Sequence, residues 1–244
     1  MLENLSGEPV AGLTGEEVAR CAEQLRWRGR VWLLALNCLP LLQVGILLGT
    51  CFIPWSGCPV RLVVAVAGLY LLPALVARLL LLGTGIPPGR IAVGSRAFFR
   101  WWALFQLQVI FCRLPLLEEL LRLVPGLYSQ WLRLWGARIG RFTYWSAGMM
   151  ITDRSFLDIG NDVVFGAGVR LNPHVLTKGT EGQLQLLLAP VKIGDRTMIG
   201  GYALLTAGTE IAPDEVTRAC LISRPFTVWK NGCRQRSPTM PECE

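Results

Sequence analysis

The chain carries one histidine, His174, in the stretch Leu171-Asn172-Pro173-His174-Val175. An imidazole titrates nearest neutral pH, so it can take a proton from an attacking hydroxyl or amine and return it to a leaving group. His174 is therefore the candidate general base. Asn172 points to the same side of the chain if the backbone there is extended, where its amide can bind substrate or orient the ring; otherwise it caps a turn. Asp153, Asp158, Asp162 and Asp195 fall at corners, where Asp commonly satisfies turn backbone. One of them, from an adjacent coil, can orient the imidazole, and the sequence does not select which.

These residues lie in a region with its own ruler. Ile193, Ile199, Leu205 and Ile211 follow one another at steps of six, a period that fits neither an amphipathic helix nor a half-buried strand. It fits a left-handed parallel β-helix, in which each hexapeptide forms one side of a triangular coil and sends its aliphatic residue inward. The same ruler finds Ile139, Trp145, Ile151 and Leu157, then slips by two, then finds Ile159, Phe165 and Leu171. The step from Leu171 to Ile193 is three hexads and four residues, so the segment holding His174 bulges from the coil.

Composition says where such a domain sits. The chain has 244 residues, of which 52% are hydrophobic and 17% charged, with a net charge of +7 and a mean hydropathy of +0.43, which is too apolar for an ordinary cytosolic domain. Residues 31–53 hold no charged side chain, long enough to cross a hydrocarbon core of about 30 Å. Residues 62–82 supply a second run, with Arg78 near its end, placed to snorkel. Pro40 and Pro73 read as kinks. The linker is short, so residues 31–84 form a transmembrane hairpin. Arg26, Arg28 and Arg30 before it and Arg90, Arg96 and Arg100 after it place both flanks, and the coils, on the cytoplasmic side. Residues 1–30 then form a cytosolic N-terminal segment.

Residues 85–136 mix Phe98, Phe99, Trp101 and Trp102 with Arg113, Arg122, Arg133 and Arg138 just beyond. They read as amphipathic helices at the membrane interface, divided by Pro115 and Pro125 and stopped at Gly136, which also cover the open end of the coils. The coils occupy 137–216, and 217–244, where the aliphatic ruler is lost, form a C-terminal segment and tail. The arginines lie beside apolar segments rather than in a groove, so anionic membrane lipid is the expected partner and nucleic acid is not. Eight cysteines without a CxxC pair suggest neither a zinc knuckle nor a disulfide framework, and a single histidine excludes a three-histidine zinc site.

The membrane hairpin, the segment LRLWGARIGR and hexapeptide coils interrupted at a Pro-His loop resemble hexapeptide-repeat acyltransferases. They are especially similar to the membrane-embedded C-terminal repeats of poly-lysine-synthetase-type peptide synthetases. The resemblance implies a homotrimer with sites between neighbouring prisms and acyl-coenzyme A, or another acyl thioester, as a co-substrate with no permanently bound cofactor. On that basis His174 activates a small-molecule or lipid-linked acceptor. Lys178, Lys192 and Arg196 are candidates for the coenzyme A phosphates, and Gly200 and Gly201, or Gly166 and Gly168, for close backbone approach to the pantetheine arm. Two other functions stay open. One is amide-bond formation with a carrier protein that presents an aminoacyl thioester; the other is a non-catalytic trimeric scaffold.

Overall fold

A computed structural model describes residues 27–52, 58–82, 85–179 and 183–236. The N-terminal segment up to residue 26, the centre of the hairpin turn and the tail from residue 237 lie outside them. Two long apolar helical stretches come first, Trp27–Thr50 and Pro59–Leu81. Each is broken two residues ahead of its proline, giving α1 (Trp27–Asn37), α2 (Leu39–Cys51), α3 (Cys58–Tyr70) and α4 (Leu72–Leu81). A proline lacks the amide proton and crowds the carbonyl four residues back, so the helix restarts with proline in its first turn. At 24 and 23 residues the stretches are about 36 and 35 Å long. Their outer surface is apolar and exposed, Trp32, Leu34, Leu41, Leu62, Val63 and Leu79 among others.

The region expected to be helical from residue 85 also contains a strand, β1 (Gly89–Ala92). Then come α5 (Arg96–Arg113), α6 (Leu116–Arg122) and α7 (Leu127–Leu134), divided at the two prolines as the sequence requires. Ser95 caps α5 by accepting the Phe98 amide at 3.2 Å, and Gly136, at φ +102, ends the helical region in a conformation few other residues adopt. These helices pack as a cap on the coils rather than lying apart: Trp131, Leu132 and Trp135 are buried, and the Arg133 guanidinium donates to the carbonyls of Ile139 and Gly140 at the first coil. The hairpin packs on the same cap. Gln43 Nε2 donates to the Leu107 carbonyl at 3.0 Å, Trp131 Nε1 to the Tyr70 carbonyl at 2.9 Å, and Tyr70 O–H to the Leu117 carbonyl at 2.9 Å.

From residue 138 the backbone winds as a three-sided prism of short parallel strands. The first side is β2 (Arg138–Ile139), β5 (Leu157–Ile159), β10 (Val191–Ile193), β13 (Glu210–Ile211) and β14 (Thr227–Lys230), closed by antiparallel β15 (Cys233–Arg236). The second is β3 (Tyr144–Trp145), β6 (Val164–Phe165) and β11 (Met198–Ile199); the third is β4 (Met150–Ile151), β7 (Arg170–Asn172) and β12 (Leu204–Thr206). Register follows the ruler: Ile139, Ile159, Ile193 and Ile211 stack, as do Ile151, Leu171 and Leu205. All seven are buried. The glycine after the aliphatic residue has a steric cause at the first corner, where a Cβ on Gly140 would lie 2.2 Å from the Gly160 carbonyl oxygen of the next coil.

Two expectations change. The coils do not stop at residue 216: Val216 and Ile222 bridge to Met198 and Leu204, and β14 pairs in parallel with β13. The six-step positions continue as Thr217 and Ser223, both buried. Inward hydroxyls replace aliphatic groups because they accept the amides of Gly200 and Thr206, at 3.0 and 2.8 Å. The bulge at His174 is also larger than four residues. Leu171 pairs with Leu205, 34 positions on, where a plain coil takes 18 (Ile193 to Ile211), so the insertion is 16 residues. It forms an antiparallel hairpin, β8 (His174–Lys178) and β9 (Leu184–Leu188), whose second strand pairs with β1.

Candidate active site

His174 opens β8, immediately after the third side of the second coil. The corresponding corner of the first coil carries the two-residue slip seen in the sequence, and the extra length forms a turn in which the Phe156 amide donates to the Asp153 carbonyl. Asp153, at 1% exposure, thereby reaches the imidazole: its Oδ2 meets His174 Nδ1 in a short contact. Its Oδ1 accepts the indole N–H of Trp101 at 2.9 Å, and the Thr152 hydroxyl donates to Oδ2 at 2.9 Å. A carboxylate only accepts, so Nδ1 carries a hydrogen, and in the neutral ring Nε2 keeps its lone pair. The ring stands edge-on to Trp101 and Phe105, centroids 4.9 and 5.5 Å away. The side chain is 19% exposed, so the imidazole is held firmly yet is open on one side.

The next residue turns the other way. Arg154 is buried to 1%, donating Nε to Glu118 Oε1 at 2.8 Å, a second short contact from Nη2, and Nη1 to Gln108 Oε1 at 2.9 Å. Its guanidinium lies over Phe111, Trp131 and Trp135 at 5.5–5.9 Å. Burial opposes its charge, but the Glu118 carboxylate together with Cys112 and Tyr128 outweighs this and holds the group protonated above its ordinary value. Glu118 also accepts from Arg122 and from the Tyr128 hydroxyl, at 2.9 and 2.7 Å, and burial, reinforced by Glu118, pushes the Tyr128 phenol well above its ordinary value. This network locks α5, α6 and α7 onto the corner that bears Asp153.

Asn172 ends β7, opposite Thr206, and its Oδ1 is buried with no donor among the described residues. Lys178 lies four residues along β8, opposite Leu184. The other candidates are engaged within the prism wall. Lys192 pairs with Glu210 at 2.7 Å, and Arg196 makes a two-pronged pair with Asp214 at 2.6 and 2.7 Å. The Gly200 amide donates to Thr217, and a Cβ there would be 2.4 Å from the backbone of Arg218 and Ala219. A Cβ on Gly201 would lie 3.2 Å from the Ala167 carbonyl oxygen, and the amides of Gly166 and Gly168 donate to Ile199 and Ala147. These glycines therefore serve coil stacking. Among the described residues there is no cluster of three metal-ligating side chains. A cavity of about 670 Å³ lies elsewhere, between the α6–α7 turn and the first coil, lined by Arg133, Arg141, Phe142 and Tyr144 among others, and neither His174 nor Asp153 borders it.

Sequence reasoning named Asp153 only as one of four acids, and it missed Trp101, Phe105 and the Arg154–Glu118 pair. The coil length was the usable signal. One turn of the first coil spans 20 residues, Ile139 to Ile159, so stepping back by 20 or 21 from His174 lands on Arg154 or Asp153.

No protein-family model and no curated protein matches the chain. Solved structures that resemble it include a hexapeptide-repeat acetyltransferase from Vibrio cholerae, 13% identical over 53% of this chain and 91% of the other, with a TM-score of 0.32. A maltose O-acetyltransferase from Clostridium difficile is 19% identical over 56% of this chain and 89% of the other, with a TM-score of 0.34.

Proposed function

We propose that the chain is a membrane-bound acyltransferase that moves an acyl group from a thioester, acyl-coenzyme A, to a hydroxyl or amine. The observation that carries this reading is the Trp101–Asp153–His174 chain, which fixes the imidazole with Nε2 as the free base. The acceptor O–H or N–H gives its proton to Nε2 as its lone pair attacks the thioester carbonyl carbon. The acyl–oxygen or acyl–nitrogen bond forms, the carbon–sulfur bond breaks, and the departing thiolate takes the proton back from the imidazolium. Asp153 stabilises that imidazolium, and its own hydrogen bonds to Trp101 and Thr152 keep the carboxylate in place. Lys178, at the turn end of the hairpin whose other end bears the base, is the candidate for coenzyme A phosphate.

In this reading α1–α4 cross the bilayer, since their length fits the hydrocarbon thickness and their exposed side chains are apolar, and the flanking arginines support a cytoplasmic prism. The chain works as a homotrimer, as the resemblance implies. The second side of the prism supports this with an outward column of Tyr144, Val164, Met198 and Val216 in register, of which Tyr144, Met198 and Val216 are exposed; a second copy would cover it. The test is release of free coenzyme A from labelled acetyl-coenzyme A, with a panel of amines, sugars and lipids, by protein in lipid nanodiscs. His174→Ala is expected to lower transfer by at least about 100-fold; unchanged turnover would refute the assignment.

A further inference from the structure

The imidazole packs against the helix that joins the apolar hairpin to the prism. Phe98, Trp101, Trp102 and Phe105 of α5 form a continuous run of rings, with centroids 5.7 Å apart from Phe98 to Trp101, 5.6 Å to Trp102 and 5.9 Å on to Phe105. His174 rests on Trp101 and Phe105 at one side of that run. At the other side, Trp102 Nε1 and Gln106 Nε2 both donate to Asn37 Oδ1 at the end of α1, at 2.9 and 2.8 Å. Asn37 lies about 15 Å along the first apolar stretch, beyond the exposed Trp32 and Leu34. Two ring-to-ring steps, 5.5 and 5.9 Å, thus lead from the imidazole to a residue bonded to the hairpin. Trp102 and Phe105 are only half-buried, so the run has an outer edge that a ligand can touch. Indole and phenyl rings exposed along a membrane-spanning stretch pack against acyl chains.

We propose that the acceptor is a membrane-embedded amphiphile. Its tail stays in the bilayer beside α1, and its hydroxyl or amine passes along the aromatic edge of α5 to His174 Nε2. This rests on the acyltransferase reading and narrows its acceptor to molecules that partition into lipid.

The experiment uses the full chain in nanodiscs of phosphatidylcholine and phosphatidylglycerol doped with a phospholipid that carries a diazirine partway along one acyl chain. After irradiation and trypsin digestion, cross-links are expected on the 101–113 peptide, at Trp102 or Phe105, as well as on the hairpin peptides 31–61 and 62–78. Trp102→Glu puts a charge on that edge and should cut labelling of 101–113 by at least about 5-fold, since a carboxylate in lipid is costly, and leave hairpin labelling as it was. Label on the hairpin peptides alone would overturn the inference and leave acyl transfer intact. No label on any of the three peptides would remove the membrane placement, and the inference with it. Failure of acyl transfer itself is read separately, in the coenzyme A release assay with His174→Ala.

Discussion

Replacing Asp153 by asparagine keeps the shape of the side chain and changes only what its two terminal atoms can do. In the native protein both oxygens accept, Oδ1 from the Trp101 indole N–H and Oδ2 from His174 Nδ1 and the Thr152 hydroxyl. An indole nitrogen only donates, so the introduced amide must keep its oxygen toward Trp101 and turn its NH₂ toward His174. Nδ1 then has to accept, the imidazole hydrogen moves to Nε2, and the base is lost at the atom that faces the acceptor. A positioned general base contributes about 100- to 10,000-fold, about 2.7–5.5 kcal/mol at 1.36 kcal/mol per tenfold, and Asp153→Asn should lower kcat by that range with little effect on KM for acetyl-coenzyme A. Free coenzyme A, followed with a thiol reagent, gives both constants. Adding Trp101→Phe removes the donor that pins the amide, lets it turn its oxygen to His174, and should return part of the lost rate. The reasoning fails if Asp153→Asn alone keeps kcat within about threefold of the native protein.

Three further outcomes follow from the same geometry. Glu118→Ala strands Arg154 as a buried unpaired charge and leaves Arg122 with Glu119 alone, and should cost about 3–5 kcal/mol, read as a large fall in the thermal midpoint in detergent. Gly200→Ala forces a methyl against the Arg218 and Ala219 backbone and should destabilise by about 1–3 kcal/mol or more whether or not ligand is present; a variant of native stability that binds coenzyme A poorly would instead return Gly200 to the ligand site. The hydrogen bonds from Arg196 hold the Asp214 carboxyl below its ordinary value, so the pair stabilises the fold above the unfolded-state pKa and loses that effect as pH falls through the depressed folded value. Asp214→Asn should therefore melt earlier than the native protein at pH about 7 and together with it at pH about 2.

The prism was legible because its constraint is repetitive: an inward aliphatic group every six residues leaves the same mark many times, and Ile193 to Ile211 alone reveals it. The mark fades where the inward group changes chemistry but not position. Thr217 and Ser223 keep the six-step register and are invisible to a search for greasy residues. The insertion was underestimated for a related reason. A gap in the ruler reports only the remainder after whole hexads, so a 16-residue hairpin and a four-residue bulge leave the same trace. Within the site, His174 was conspicuous by being alone, whereas its partner depended on which coil stacks beside it. Trp101 and Phe105 lie more than 60 residues upstream and look in the sequence like boundary aromatics, the environment being set by tertiary packing rather than by local pattern.

The pairing of β1 with β9 carries a consequence for how the molecule is made. Gly89–Ala92 leaves the ribosome soon after the apolar hairpin, but its partner, Gln185–Leu188, is translated on the order of 100 residues later, and at 5–20 residues per second that is a wait of about 5–20 s. Through that interval a bare strand edge sits next to the apolar hairpin, open to mispairing with any other extended segment. When the missing strand arrives it pairs with β8 and sets His174 beside α5, so the imidazole's surroundings are complete only after the apolar helices and two coils have been made.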